Sequence, residues 1–408
     1  MDFFSVIPYA TDSLLLLLIA STPLFRLADS PPSDSRQRDR NIDGLRGFLA
    51  LGVFFHHAAT YHDYILTGRW TIPPSRFYGN IGPVGVSLFF MITGYLFWGK
   101  LTSSRGRMDW GRLYVARAFR IVPLYLVLAL VIIVLSLVRS RWQVHVPSFL
   151  LCLELIKWLC GGVLLGRDIN GIDTIPISAG VTWSLQFEWI FYLALFPMSL
   201  AARRTSVALT FPIIVAVLIA LSLLARPAHF SLACMLLFFL GMSAASIRRL
   251  VSRDLSSYDK SLSATALLCL IWVLFGFDYV YKVVPLLLLG SAFCLIVLEA
   301  TMFGVLVSRA ARRLGDVSYG IYLLQGPVLF LTFGTDVLRS LALESALYHW
   351  AIALLAACLL VSVATLAHWL IERPGIRLGN NISSRRQGVR RRRADPSQWP
   401  DARHNALR

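Results

Sequence analysis

Apolar runs of membrane-spanning length recur along almost the whole chain of 408 residues, separated by short basic or aromatic segments. A bilayer core holds no water to satisfy backbone N–H and C=O groups, so only helices and closed barrels cross it. Runs of about 20 apolar residues suit helices, because a helix rises about 1.5 Å per residue and the hydrocarbon is about 30 Å thick. The balance of residues agrees, at 57% hydrophobic, 15% charged and a mean hydropathy of +0.66. An ordinary soluble domain is excluded. The net charge of +17 would suit nucleic acid, but the basic residues sit in short loops and a tail between apolar runs. Placed there they report membrane orientation, and no nucleic-acid partner is expected. The six cysteines lie in apolar stretches without a C-x-x-C pair and read as packing residues.

Taken in order, the runs predict spans at about 5–25, 45–64, 82–101, 119–138, 181–200, 207–225, 230–247, 264–281, 284–307, 318–336 and 346–371. The run 149–165 is ambiguous, and the distribution of basic residues decides it. If that run enters and returns on one side, the basic segments 100–120, 201–206, 248–260, 308–313 and the tail all fall on the cytoplasmic side. Glu154 and Lys157, one turn apart within it, also suit a re-entrant or interfacial segment better than a lipid-facing span. The expected fold is therefore an all-α polytopic bundle of about eleven transmembrane helices, N-terminus outside and C-terminus cytoplasmic. Residues 1–35 form an extra N-terminal helix and link, 36–376 the main membrane domain, and 377–408 a basic, disordered tail near anionic headgroups. No internal repeat is visible, which weakens an inverted-repeat transporter.

Ionisable groups inside spans are costly and commonly functional. Arg46 and His57 are eleven residues apart in RNIDGLRGFLALGVFFHHAA. On a helix that is about 16 Å and nearly one face, with His57 near mid-membrane. Arg117-x-x-Arg120 sets two guanidinium groups one turn apart, a pairing suited to phosphate, although a loop at that position would be basic in any case. Glu188, in TWSLQFEWIFY, is a carboxylate one to two turns into a span and needs a basic partner. Trp183, Tyr192 and Tyr319, with Asp168 and Asn170 of the loop 166–181, offer the rings and short polar groups that a sugar face wants; tyrosines near a membrane surface also serve as anchors. His56, His57 and His62 lack ligand spacing on a helix, so no metal is expected.

At these residues the chain resembles the acyltransferase-3 family, integral-membrane enzymes that O-acylate envelope glycans. DGLRGFLALGVFFHHA, GVSLFFMITGYLF, RAFRIVP, TWSLQFEWIFY, SYGIYLLQGPV and IERP follow the family's order from about residue 40 to 376. The resemblance implies a bacterial inner-membrane enzyme that takes a short acyl group from cytoplasmic acetyl-CoA to a glycan or lipid-linked sugar outside. It implies functional roles for Arg46, His57, Arg117 and Arg120. His57 would act as general base or carry the acyl group briefly, with Glu188 orienting or charge-balancing it. Three positions depart from the pattern: Ser87 and Trp189 stand where acids are frequent, and Gln325 where a histidine is frequent. The chain shows no fused esterase-like domain, so direct transfer to the acceptor is expected. The rival from another class is a proton-coupled transporter or flippase of an envelope precursor, with His57 and Glu188 as relay.

Overall fold

A computed structural model of the chain describes residues 3–28, 39–225, 229–251 and 253–394. Most of the expected link between the first two helices, and the end of the tail from 395, lie outside the described residues. The protein is 79% helical. In chain order the first helices are α1 (Ile7–Ser21), α2 (Arg40–Thr67), α3 (Arg76–Ser103), α4 (Trp110–Arg139) and α5 (Ser148–Leu159). A two-residue hairpin follows, β1 (Asp168–Ile169) against β2 (Ile172–Asp173). Then come α6 (Ile175–Ser178), α7 (Trp183–Met198), α8 (Thr205–Ala225), α9 (Phe230–Leu250), α10 (Asp259–Gly276) and α11 (Val283–Val297). The last group is α12 (Arg309–Asp316), α13 (Ser318–Phe333), α14 (Asp336–Glu344), α15 (Ala346–Ala367) and α16 (Arg373–Ala394). A π turn, His368–Glu372, joins α15 to α16.

The molecule is a polytopic membrane helix bundle. Among the described residues, six helices are long and apolar enough to cross a membrane, or seven if α13 and α14, bent by 88°, make one span. This is fewer than the eleven expected. The difference lies in short or polar helices: α1 and α11 have 15 residues each, about 22 Å, while α2 has 28 residues but carries Asp43, Arg46, His56 and His57. The run 149–165 becomes α5, 12 residues and about 18 Å, too short to cross, and the chain then turns at Gly161 and Gly162. Two boundaries are corrected. The span expected at 284–307 stops at Val297, and the loop beyond it is held by polar bonds: Arg248 to Glu299 at 2.5 Å, and Thr301 N–H to Asp259 at 2.6 Å. The tail expected to be disordered from 377 is helical as far as Ala394.

Small residues bring the central helices together, as lipid-solvated bundles require. A Cβ on Gly94 of α3 would sit 2.2 Å from the Phe238 carbonyl of α9, and one on Gly241 of α9 only 2.0 Å from the Met91 carbonyl of α3. The same reciprocity joins α2 to α12, where Gly47 abuts Ala311 O and Gly315 abuts Asp43 O. The extra helix α1 is tied to this pair, since Arg313 donates to the carbonyls of Ala20 and Thr22, both at 2.8 Å. A cation on orphan C-terminal carbonyls satisfies them and complements the helix dipole. The close α2–α3–α9–α12 packing fixes the inner faces of α2 and α13, which carry the candidate chemistry.

Candidate active site

A helix N-terminus sets the register of the site. Asp39 caps α2 by accepting from Ile42 N–H, and Tyr95 of α3 donates to its second oxygen at 3.1 Å. One turn on, Asp43 and Arg46 face a cavity of about 920 Å³, near the top of the range of about 300–1,000 Å³ for small-molecule sites. Arg117 and Arg120 from α4, Glu188 and Tyr192 from α7, and Tyr319 and Tyr322 from α13 line the same cavity. Seven of the described helices, α2, α3, α4, α7, α12, α13 and α16, therefore converge on it, and residues more than 250 positions apart in sequence share one space. Its walls hold six cationic side chains (Arg46, Lys100, Arg117, Arg120, Arg373 and Arg377) against four acids (Asp39, Asp43, Glu188 and Asp316). The excess of positive charge suits an anionic ligand.

The local bonds are specific. Tyr192 donates its hydroxyl to Glu188, and the Arg117 guanidinium lies over the Phe97 ring at 5.1 Å. Tyr319 donates to the Ile121 carbonyl at 2.8 Å, which ties α13 to α4 beside Arg120. At the buried end the Tyr322 hydroxyl meets Ser184 Oγ at 2.8 Å and the Val181 carbonyl at 2.9 Å.

His57 does not line this cavity. It stands on α2 against the next turn of α13, where its Nδ1 is 3.2 Å from Gln325 Oε1. The Gln325 amide nitrogen donates to the Tyr322 carbonyl at 2.8 Å, and a carbonyl can only accept. The amide oxygen therefore faces His57, Nδ1 carries the proton, and Nε2 keeps its lone pair. His56 points elsewhere: its Nδ1 donates to the Tyr78 carbonyl at 2.6 Å, and its ring packs against Gly82. Beyond His57 is an aromatic wall. Trp70 stacks on the imidazole at 6.1 Å and meets Tyr61 and Tyr64 edge-on.

The cavity thus brings together Arg46, Arg117, Arg120, Glu188, Tyr192 and Tyr319, and leaves out Trp183, Asp168 and Asn170. Trp183 packs among Phe90, Phe187 and Phe230. Asp168 is exposed on the hairpin opposite Asp173. Asn170 is fully buried and committed to its own loop: its amide donates to Ser140 Oγ and the Gln143 carbonyl and accepts from His145 N–H. Its backbone N–H goes to Glu154, and its φ of +56° is one that asparagine tolerates. Asn170 thus spends its side-chain and backbone bonds on its own loop and stands apart from the cavity.

Sequence reasoning missed Lys100, His368, Arg373, Arg377 and Asn380, all of which line the cavity. His368 Nδ1 lies 3.1 Å from Glu372, a buried carboxylate, across the π turn. The available signal was the spacing of Arg373, Arg377 and Asn380, which share a helix face. Among the described residues, no three histidine, cysteine or acidic side chains gather as a metal site would need.

Comparison with known proteins follows this geometry. Residues 39–369 match a family model described as an acyltransferase domain. The chain is 24% identical over 390 residues to YrhL of Bacillus subtilis (strain 168), a protein provisionally named a peptidoglycan O-acetyltransferase. The match covers 86% of this chain and 57% of that protein, so the chain spans little more than half of its relative. No solved structure matches. With the family match running from the cap of α2 to the π turn before α16, the chain belongs to the acyltransferase-3 family.

Proposed function

We propose that the protein transfers an acetyl or other short acyl group from acyl-CoA to a hydroxyl of an envelope glycan, peptidoglycan being the candidate its relative suggests. The observation that carries this reading is the cation-lined cavity, whose lining includes the buried Tyr322 and Ser184, with Tyr322 one turn of α13 from the His57–Gln325 pair. Phosphates bind at the charged end, where Arg117 and Arg120 present paired forks. The uncharged thioester arm extends past Tyr322 toward His57. His57 Nε2 takes the proton of the acceptor hydroxyl as oxygen attacks the thioester carbonyl; the C–S bond breaks and the thiolate leaves on CoA, taking up a proton. Trp70 and Tyr64 stand on the far side of His57 and suit a sugar ring. Lys100, Arg117 and Arg120 and the start of α16 meet at the cavity, and the positive-inside tendency supports a cytoplasmic position for that end.

A second reading has its own observation: His368 lines the cavity and is held by Glu372, an arrangement that also suits a proton acceptor. The test is turnover of labelled acetyl-CoA by purified protein in proteoliposomes with glycan fragments supplied. Label on the glycan, lost in His57→Ala, supports the proposal. Movement of glycan across the bilayer with acetyl-CoA left intact overturns it in favour of a transporter.

A further inference from the structure

Arg117 and Arg120 form one cationic wall of the cavity, and a second stands on a different element. Arg373, Arg377 and Asn380 of α16 line it, and at spacings of four and three residues they lie within about 60° on one helix face. A close approach holds α16 in place. A Cβ on Gly375 would lie 2.6 Å from the Phe119 carbonyl, and one on Gly379 would lie 2.9 Å from Phe119 Cβ. That contact fixes α16 against α4, and Arg373, Arg377 and Asn380, on the face turned away from the glycines, line the same cavity as Arg117 and Arg120. Arg377 and Asn380 are exposed, whereas Ser184 and Tyr322 at the other end are buried. The second wall is thus at the mouth, furthest from His57.

Resting on the acyl-CoA reading above, we propose that Arg377, with Arg373 and Asn380, forms a separate subsite for the ribose 3′-phosphate of the donor. Acyl-CoA carries a diphosphate in mid-chain and this third phosphate beside the adenosine, at the end opposite the thioester. With the thioester directed toward His57, the diphosphate falls to Arg117 and Arg120, and the terminal phosphate to α16. Arginine forks and an asparagine amide are donors only at their nitrogens, as a phosphate dianion needs. The structure thereby makes α16 part of the donor site, in place of a solvated tail.

The experiment compares acetyl-CoA with 3′-dephospho-acetyl-CoA as donors for the full chain in proteoliposomes. The wild type should show a KM about tenfold or more lower for acetyl-CoA, the scale of a charge-assisted contact. Arg377→Ala with Asn380→Ala should bring the two KM values within about twofold while kcat is kept, and Arg377→Lys should retain part of the preference. Arg117→Ala with Arg120→Ala should raise both KM values together and leave their ratio. A wild type indifferent to the 3′-phosphate, or an α16 variant that keeps the preference, overturns the subsite and leaves the acyl-CoA reading standing. If neither donor is turned over, both fall.

Discussion

Replacing Gln325 by leucine tests the arrangement around His57 most directly. Gln325 is fully buried, and its amide bridges the imidazole Nδ1 at 3.2 Å and the Tyr322 carbonyl at 2.8 Å. Leucine is close in volume, so packing changes little, but both polar atoms vanish. The imidazole then loses its side-chain partner and keeps the Val53 backbone carbonyl one turn back, and a lost hydrogen bond costs about 0.5–1.5 kcal/mol. Without the glutamine the proton is free to move to Nε2, which removes the lone pair the reaction needs. The reactive tautomer is depleted by a similar free energy, so kcat should fall about 2- to 12-fold. KM for the donor should stay put, because Gln325 does not line the cavity. The assay is the initial rate of labelled acetyl transfer at matched protein level, with thermal unfolding in detergent as the folding control. His57→Ala combined with Gln325→Leu should be no slower than His57→Ala alone, since the glutamine acts through the imidazole. A kcat within twofold of wild type, or an additive loss in the double variant, refutes the reasoning.

His57→Ala should lower kcat by about 10²–10⁴, and His368→Gln by less than about tenfold; the reverse ranking in the same assay moves the base to the π turn. Arg117→Ala with Arg120→Ala should weaken donor binding measured by equilibrium dialysis more than acceptor binding, with arginine-to-lysine changes only partly restoring it. Unchanged donor affinity would reduce that loop to an orientation signal. Asn170→Ala should cost about 2 kcal/mol or more of stability, seen as a lower unfolding midpoint, with the acceptor KM of the surviving enzyme unchanged. A raised acceptor KM at unchanged stability would return Asn170 to the binding surface.

The all-α membrane class was legible because backbone satisfaction in lipid leaves few choices once apolar runs repeat. The Arg46-to-His57 spacing was equally legible, since a helix converts eleven residues into a face and a distance. What the chain order could not reveal was enclosure. Arg46 and His57 share a face of α2, yet Arg46 lines the cavity with Tyr322 while His57 is outside its lining, against Gln325. Asn170 misled for a related reason: a short amide in an outer loop reads as a ligand contact until its hydrogen bonds are counted, and here all go to neighbouring backbone and side chains. The tail misled through composition. Its arginines and glycines look solvated, while Gly375 and Gly379, spaced for close helix contact, pack α16 against α4.

The separation of charge from the candidate base follows from the cost of ionisable groups at depth. On the proposed reading the charged walls of the cavity take the donor phosphates, and the lining includes the neutral Tyr322 and Ser184 at its buried end. Around His57 the neighbours are an amide, an indole and the His56 imidazole, and no carboxylate or guanidinium is among them. A third histidine at position 325 would add a titratable group there, whereas glutamine fixes the tautomer with no change of charge. An arm without charge can thread such a passage and a phosphate cannot. The same gradient that holds the nucleotide end at the mouth therefore selects which part of the donor reaches the imidazole. On this view the one turn of α13 between Tyr322 and Gln325 acts as a filter by charge, and the distance between Arg46 and His57 is set by the donor that must stretch across it.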